Sequence, residues 1–198
     1  MIVAFGHRKQ QGKDLSCSLL KQNIIIKHGL GSCSIQSFAK PIYDICHELY
    51  RWAGFKNFQY YQDHPEAKQE ILPKINKTPR DILIDFGTKG IREQVYSNTW
   101  VEYLMHEISE MPEPIILISD LRFPNEVEKI REFGRPSILV KVVRPCIPPT
   151  DDPADLALEG YDEWDHTIVN DGTKRDLNDQ LVDLVLGEID SYLEDERK

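Results

Sequence analysis

A glycine-rich turn near the start of the chain is the strongest chemical signal in the sequence. It runs from Gly6 through five residues to Gly12 and closes in Gly12-Lys13-Asp14. A turn of this kind between a strand and a helix cradles phosphate, because backbone N–H groups and the helix dipole favour an anion there. The Lys13 ammonium could reach the outer phosphates of a nucleoside triphosphate. The turn therefore predicts a phosphate-binding loop, with a chance strand, glycine and helix as the competing interpretation.

The loop departs in two ways from the most common phosphate-loop pattern. Five residues rather than four separate its glycines, and Asp14 stands where a serine or threonine normally binds magnesium. A carboxylate beside a triphosphate is tolerated only when a cation lies between them. We therefore expect Asp14 to bind Mg²⁺, directly or through water. The alternative is that Asp14 stabilises the N-terminus of its helix through the helix dipole.

Strand-like runs alternate with helical patterns along the chain. The apolar or β-branched runs span residues 1–5, 34–38, 115–119, 138–143 and 167–169. This alternation predicts an α/β fold with a five-stranded, mainly parallel sheet and helices on both faces, which makes three layers. Ligands of such sheets bind at the carboxyl ends of the strands, and both Gly6 and Asp120 fall at such ends.

Length, composition and charge limit the classes of protein. The 198 residues fit one domain. The 24 Lys and Arg residues are outnumbered by 33 Asp and Glu, and the net charge of −9 argues against broad binding of duplex nucleic acid. No apolar run approaches the roughly 20 residues of a membrane span, and the N-terminus lacks the pattern of a signal peptide. The sequence therefore predicts a cytosolic protein that does not bind membranes.

The segment from Cys146 to His166 has an unusual composition. It combines prolines with many acidic residues and contains no lysine or arginine. A long connection of this kind is typical of a mobile cover over a site, so we predict a lid-like flap here. Since the flap brings no cation, we expect it to shield the site from water more than it takes part in chemistry.

Five blocks of sequence resemble, in the same order, the deoxynucleoside monophosphate kinases of bacteriophages, a branch of the P-loop kinases. The blocks are Gly12 to Asp14, Ser37 to Pro41, Thr78 to Trp100, Ile118 to Glu126, and Arg144-Pro145 with Asp165 to Gly172. The resemblance covers nearly the whole chain. It implies a single P-loop NTPase domain over 1–198, a monophosphate-binding insertion at 39–112 and a short lid at 146–166.

The resemblance also implies an activity. It predicts an enzyme that uses ATP and Mg²⁺ to convert deoxynucleoside 5′-monophosphates to diphosphates, in the host cytoplasm if the protein comes from a phage. The expected partners are these small molecules, without direct binding of nucleic acid, and a homodimer is left open. Two other functions stay open. One is a kinase similar to animal phosphomevalonate kinase, and the other is a non-catalytic protein of a replication assembly that binds nucleotide.

The family's motifs assign roles to residues on the ATP side. Asp120 is the expected carboxylate for Mg²⁺ together with Asp14, although an aspartate after a strand also caps helices. The expected catalytic residues are Lys13, Asp120, Arg122 and Arg144. The expected ATP-binding residues are Gly6, Lys9, Gly12, Lys13, Asp14, Leu15, Ser16 and Asn170. Asn170 is placed to touch adenine, and a simple turn is the rival interpretation.

The family's motifs also assign residues to the acceptor phosphate, because guanidinium groups match phosphate in a bidentate manner. The expected acceptor-binding residues are Lys40, Arg80, Arg92, Trp100 and Arg122. For each arginine a surface salt bridge is the rival interpretation, and for Trp100 it is a place in the core rather than stacking on a base. The family usually has threonine where this chain has Leu15, followed by Ser16.

Overall fold

A computed structural model describes residues 1–148 and 151–196, so residues 149 and 150 of the predicted flap lie outside the described residues. The chain divides into two compact units. The first comprises Met1–Ser37 and Leu104–Lys198, and the second comprises Phe38–Tyr103. The predicted limits of the single domain and of the insertion at 39–112 stay predictions.

A five-stranded sheet forms the centre of the first unit. Its strands are β1 (Ile2–Gly6), β2 (Cys33–Gln36), β3 (Ile115–Leu121), β4 (Ser137–Val143) and β5 (His166–Val169). Their order in the sheet is β2-β3-β1-β4-β5, and every neighbouring pair is parallel. The predicted α/β class with a five-stranded parallel sheet is therefore confirmed.

The register of the sheet brings the chemically interesting positions to one edge. Gly6 at the end of β1 pairs with Leu121 of β3 on one side and with Lys141 of β4 on the other. All five residues of β1 are buried, as are the first five of β3. Alternate residues of a strand point to opposite faces, so both faces of the sheet are covered.

Helices surround the sheet and build the second unit. Those of the first unit are α1 (Lys13–His28), α6 (Pro124–Glu132), α7 (Pro153–Leu156), α8 (Lys174–Leu181) and α9 (Gly187–Asp195). Those of the second are α2 (Lys40–Tyr50), α3 (Phe58–Asp63) and α4 (Pro79–Leu83), and α5 (Thr99–Glu110) passes from the second unit into the first. Shorter helical segments are 3₁₀ turns at Arg51–Ala53 and Pro65–Gln69 and π-helical turns at Ile84–Arg92 and Val182–Leu186.

The main core lies between the sheet and the helices α1, α8 and α9. Leu20 and Ile24 of α1 pack in one cluster with Val3 and Phe5 of β1 and with Ile189 of α9. Each of these side chains is fully buried, and burial of such a side chain stabilises the fold by roughly 1.5–3 kcal/mol. This packing fixes β1 and α1, the two elements that hold the phosphate loop between them.

The second unit has a small core of its own, rich in aromatic residues. Tyr43 and Cys46 of α2 pack with Phe55, Tyr61 and Ile82. A capping box of Thr78 and Asp81 begins α4. The Thr78 hydroxyl accepts the Asp81 N–H at 3.1 Å, and the Asp81 carboxylate accepts the Thr78 N–H at 3.2 Å.

Two helical stretches leave apolar side chains exposed. In α2, Ile45 and Leu49 are exposed, and the helix buries Tyr43 and Cys46 instead because the Tyr43 ring packs edge-on against Phe58 at 5.2 Å. In the last helical stretch Leu184 is exposed. Leu184 lies in the π-helical turn, whose i→i+5 bonding shifts the residues that follow away from the 3.6-residue period. Within residues 1–148 and 151–196, no helix combines the length and the apolar character that crossing a membrane requires.

Candidate active site

The loop between β1 and α1 turns back on itself through left-handed backbone conformations. His7 has a φ of 96°, Gln10 of 60° and Gly12 of 102°. Left-handed conformations at residues other than glycine cost free energy and are found mostly at functional sites. Gly12 is further constrained by space, since a Cβ atom there would lie 2.4 Å from Nδ2 of Asn170. The loop therefore has the tight, glycine-dependent shape of a phosphate cradle.

Lys13, the first residue of α1, is folded into this loop. Its side chain is 5% exposed, and its Nζ donates to the carbonyl oxygens of His7 at 3.0 Å and Arg8 at 2.5 Å. Burial, followed by the nearby positive charge of Arg122, lowers the pKa of Lys13 to about 8. The ammonium is thus held at the centre of the loop in a position where an anion would stabilise its charge.

The residues after Lys13 occupy the first turn of α1. Asp14 and Leu15 are exposed. Ser16 is buried, and its hydroxyl donates to the Gly12 carbonyl at 3.0 Å. The Ser16 hydroxyl therefore bonds to its own helix, and Asp14 is the exposed polar side chain of this turn.

Asp120 lies at the carboxyl end of β3, next to last in the strand. The Ser37 hydroxyl donates to its Oδ2 at 2.7 Å. The interpretation of Asp120 as a helix cap is wrong, because α6 begins only at Pro124. The Glu126 carboxylate serves this helix start instead, accepting the N–H groups of Arg122 at 2.8 Å and Phe123 at 3.0 Å. Asp120 is therefore placed at the sheet edge for a role other than capping.

The two acids predicted to bind magnesium lie within electrostatic range of the same groups. Asp14 and Asp120 both raise the pKa of Cys17, after the larger effect of its burial, and both oppose the lowering of the pKa of Lys13. The described residues contain no group of three or more His, Cys, Asp or Glu side chains arranged to hold a metal ion. Magnesium at phosphate sites uses one or two carboxylates, phosphate oxygens and water. Two carboxylates are within the number of protein ligands that such a magnesium site uses.

Gln11 and Asn170 hold the phosphate loop in place through hydrogen bonds. Gln11 is buried, its Oε1 accepts the Arg144 N–H, and its carbonyl accepts the Asn170 amide at 2.9 Å. The structure thus places the Asn170 side chain on the loop itself. Sequence reasoning missed Gln11, since nothing in its spacing distinguishes it from the other polar residues of the loop. The Arg144 side chain is exposed at the end of β4.

Acidic residues of the flap pair with the basic residues of the loop. Arg8 binds Glu159 through two contacts, Nε to Oε2 at 3.0 Å and NH2 to Oε1 at 2.6 Å. Arg8 accordingly lowers the pKa of Glu159. Lys9 Nζ lies 3.5 Å from the Asp152 carboxylate. The sequence carried a signal for this docking, because a flap rich in acids and without basic residues complements the run His7-Arg8-Lys9.

Asp155, on the flap helix α7, makes the most buried of these contacts. Its side chain is 0% exposed. Oδ1 accepts the backbone N–H of Lys9 at 2.9 Å and a guanidinium N–H of Arg122 at 3.3 Å. Oδ2 lies 3.4 Å from the Lys9 ammonium. A carboxylate therefore sits on the phosphate loop, bound by two residues that the sequence assigns to the phosphates.

The flap residue Trp164 packs against the end of β1. A Cβ atom at Gly6 would lie 2.4 Å from Cη2 and 2.7 Å from Cζ3 of the Trp164 ring. The indole N–H donates to the Tyr161 carbonyl at 2.9 Å, and the Tyr161 ring packs edge-on against it. The absence of a side chain at Gly6 is thus required by this ring.

The predicted acceptor residues of the second unit differ in their surroundings. Lys40 makes a surface ion pair with Asp44 at 2.5 Å, Arg80 is exposed and Arg92 is half-buried. Trp100 is 4% exposed, and its indole N–H donates to the Gly87 carbonyl at 2.9 Å. A buried ring with a satisfied N–H favours the core interpretation of Trp100 over stacking on a base.

Comparisons with known proteins connect the chain to kinases. It is 25% identical over 162 residues to a protein of Acanthamoeba polyphaga mimivirus that is provisionally named a deoxynucleotide monophosphate kinase, a match that covers 76% of this chain and 81% of the relative. It is 35% identical over 81 residues to the deoxynucleoside-5′-monophosphate kinase of Escherichia phage T5. That match covers 39% of this chain and 32% of the phage enzyme. No family model matches the chain.

The fold has a counterpart among solved structures. Shikimate kinase from Aquifex aeolicus superposes with a TM-score of 0.50 at 12% identity, over 96% of this chain and 98% of that one. At this identity the likeness concerns the fold alone. With the loop geometry it establishes the P-loop NTPase fold, in which Lys13 follows β1 and Asp120 lies at the carboxyl end of β3.

Proposed function

We propose that the protein is a kinase that transfers the γ-phosphate of ATP to deoxynucleoside 5′-monophosphates. The observation that carries the proposal is the buried Lys13 ammonium inside a left-handed loop at the carboxyl edge of a parallel sheet. The two viral relatives support the acceptor class, because both are named as kinases of deoxynucleotide monophosphates. The products would be ADP and a deoxynucleoside diphosphate.

In this proposal the loop binds the triphosphate and balances its charge. Backbone N–H groups of Lys9 and its neighbours and the Lys13 ammonium face the outer phosphates, with Gln11 and Asn170 holding the loop in shape. A phosphate oxygen of the acceptor attacks the γ-phosphorus, and the bond to the β,γ-bridging oxygen breaks so that ADP leaves with the electron pair. Arg122 and Arg144, at the ends of β3 and β4, supply positive charge as these bonds change.

Magnesium fits the proposal through the acidic pair described above. Asp14 and Asp120 would hold Mg²⁺, which when bound neutralises charge on the phosphate oxygens. The Ser37 hydroxyl holds the Asp120 carboxylate in one orientation. The chain's own contribution is thus to present two acids beside the lysine that binds the same phosphates.

The acceptor monophosphate is assigned to the second unit. Lys40, Arg80 and Arg92 lie within Phe38–Tyr103 and offer the ammonium and guanidinium groups that phosphate recognition requires. This assignment rests on the resemblance of their sequence blocks to the phage kinases. Trp100 enters it as a side chain that supports the unit from its core.

An assay of ADP release tests the proposal against its alternatives. Purified protein would be given ATP, Mg²⁺ and one acceptor from a panel of deoxynucleoside monophosphates, ribonucleoside monophosphates and phosphomevalonate. We expect release of ADP with at least one deoxynucleoside monophosphate, and an equal amount of deoxynucleoside diphosphate by mass spectrometry. Lys13→Ala serves as the blank, and Lys21→Ala, on the same helix, is the matched control.

Three outcomes would contradict the proposed activity. Turnover with phosphomevalonate alone would assign the chain to that reaction. Binding of ATP without turnover on any acceptor would favour a nucleotide-binding protein of an assembly. Equal ADP release by the wild type and Lys13→Ala would remove the phosphate loop from the reaction.

A further inference from the structure

Asp155 presents its carboxylate to the phosphate loop as a phosphate group would. Its three binding groups are a backbone N–H of the loop, the guanidinium of Arg122 and the ammonium of Lys9. These are the donor classes that proteins use to bind phosphate oxygens. Its Oδ2 is buried without a hydrogen bond and faces the Lys9 ammonium at 3.4 Å.

The other two acids that contact the loop are not buried in this phosphate-like way. The side chains of Asp152 and Glu159 are 25% and 49% exposed, and exposed ion pairs contribute little stability. Asp152 also caps its own helix by accepting the Ala154 N–H at 3.1 Å. Asp155 alone of the three is both fully buried and bonded to the loop backbone.

A carboxylate and a phosphate cannot use the same donors at the same time. Two anions a few ångströms apart in a partly dry site repel strongly, and the Lys9 N–H can serve one of them. The contact that Asp155 makes with the loop is therefore incompatible with a fully engaged triphosphate.

We propose that Asp155 is an internal substitute for a nucleotide phosphate, which occupies the loop when it is empty and is displaced when a nucleoside triphosphate binds. The proposal rests on the proposed function to the extent that the loop binds nucleotide phosphates. Asp155 then lowers the affinity for ATP, keeps Lys9 and Arg122 in place between turnovers and favours release of bound nucleotide.

Titration calorimetry of carboxylate-free variants tests the proposal. Asp155→Asn and Asp155→Ser would be titrated with ATP and, separately, with inorganic triphosphate. We expect both ligands to bind the variants at least about fivefold more tightly than they bind the wild type, since the competing anion is gone. Asp162→Asn removes a charge from an exposed position of the same flap and is the matched control. Its affinities should stay within about twofold of the wild type.

The rise in Tm that ATP produces is a readout that a purely structural role of Asp155 would not increase. Without ligand, the two Asp155 variants should melt below the wild type, because Lys9 and Arg122 lose the buried carboxylate that they share. With saturating ATP the rise in Tm should be larger in the variants than in the wild type, since phosphate fills the vacated position.

The contrary outcomes are distinct. If the wild type binds ATP and both Asp155 variants bind it equally or more weakly, the proposal is overturned and Asp155 is a positioning residue for Arg122. If ATP binds to none of the proteins, the proposed function fails first and this inference with it. Tighter binding in Asp162→Asn of the same size would reduce the effect to general charge and also overturn the proposal.

Discussion

Lys13 is bound to its own loop. Two carbonyl oxygens hold its ammonium, and burial weakens its hold on the proton enough to bring its pKa to about 8. A bound triphosphate places negative charge beside the ammonium and must raise that pKa again. Binding of ATP and protonation of Lys13 are therefore coupled.

This coupling predicts how affinity depends on pH. Below pH 8 the free lysine is already charged, and the affinity for ATP should be flat. Above pH 8 the free lysine loses its proton while the complex keeps it, so affinity should fall by up to about tenfold per pH unit. Calorimetry at pH 7, 8 and 9 measures the slope, and buffers of different ionisation enthalpy show the proton uptake. A slope of equal size in Lys13→Met would assign it to another group.

The acidic pair at the site predicts a change in the magnesium requirement. Asp120→Asn keeps the size of the side chain and an acceptor for the Ser37 hydroxyl but removes the charge. We expect the Mg²⁺ concentration for half-maximal rate to rise about tenfold or more, in the range typical of losses at metal sites. Asp14→Asn should do the same, with little change in the melting temperature.

The control for this titration is Asp183→Asn, which removes an exposed carboxylate from the last helical stretch. It should leave the magnesium curve in place. If Asp14→Asn lowers stability by about 0.3–1 kcal/mol and leaves the curve unchanged, Asp14 serves the helix dipole instead.

Individual site residues were predictable from the sequence where the backbone geometry demands a particular residue type. The spacing of Gly6, Gly12 and Lys13 led to the loop, because a turn of that shape needs glycine and a phosphate needs a cation. The contacts of Gln11 and Asp155 were not predictable in the same way. Each depends on a partner more than 100 residues away, and a glutamine or an aspartate has many ordinary uses.

At the level of elements, the flap is anchored to the phosphate loop both by charge and by packing. The ion pairs of Glu159 and Asp152 lie at its outer side, and the ring of Trp164 packs on Gly6. The composition of the segment indicated a cover but not its attachment. The alternation of strands and helices predicted the sheet correctly. The π-helical turns were not predicted, because they depart from the 3.6-residue period on which helix prediction depends.

The packing of the flap on β1 predicts a coupling between two substitutions. Gly6 has no positive φ, so Gly6→Ala should destabilise chiefly through the clash of its Cβ with Trp164. Overpacking of this kind costs roughly 1–3 kcal/mol. In a Trp164→Ala background, Gly6→Ala should lower the free energy of unfolding by at least about 1 kcal/mol less than it does in the wild type, as measured by urea unfolding.

Gly160→Ala is the reference for this cycle, since no atom lies within 4 Å of a Cβ placed there. It should change the free energy of unfolding by less than about 0.5 kcal/mol. Strictly additive effects of Gly6→Ala and Trp164→Ala would mean that the two residues do not meet in solution.

For the whole molecule, most residues proposed for the acceptor lie in the second compact unit, and of that set Arg122 lies in the first. The residues proposed for ATP lie in the unit that contains the sheet, and Arg80 and Arg92 lie in Phe38–Tyr103. The second unit has its own aromatic core, so substitution of the exposed Arg80 or the half-buried Arg92 should leave the core of the sheet intact. Substitutions in the two units should therefore affect the kinetics of different substrates.

This separation gives the last prediction. Arg80→Ala and Arg92→Ala should each raise the KM for the deoxynucleoside monophosphate about tenfold or more, the usual loss for a hydrogen bond to a charged group, while the KM for ATP stays within about twofold. Arg51→Ala is the matched control, because Arg51 lies in the same unit and makes an exposed ion pair with Glu48 at 3.0 Å. Steady-state rates with each substrate varied in turn measure both constants. An equal rise in both KM values would mean that the two arginines support the structure of their unit, and the acceptor site would then have to be sought among other cations.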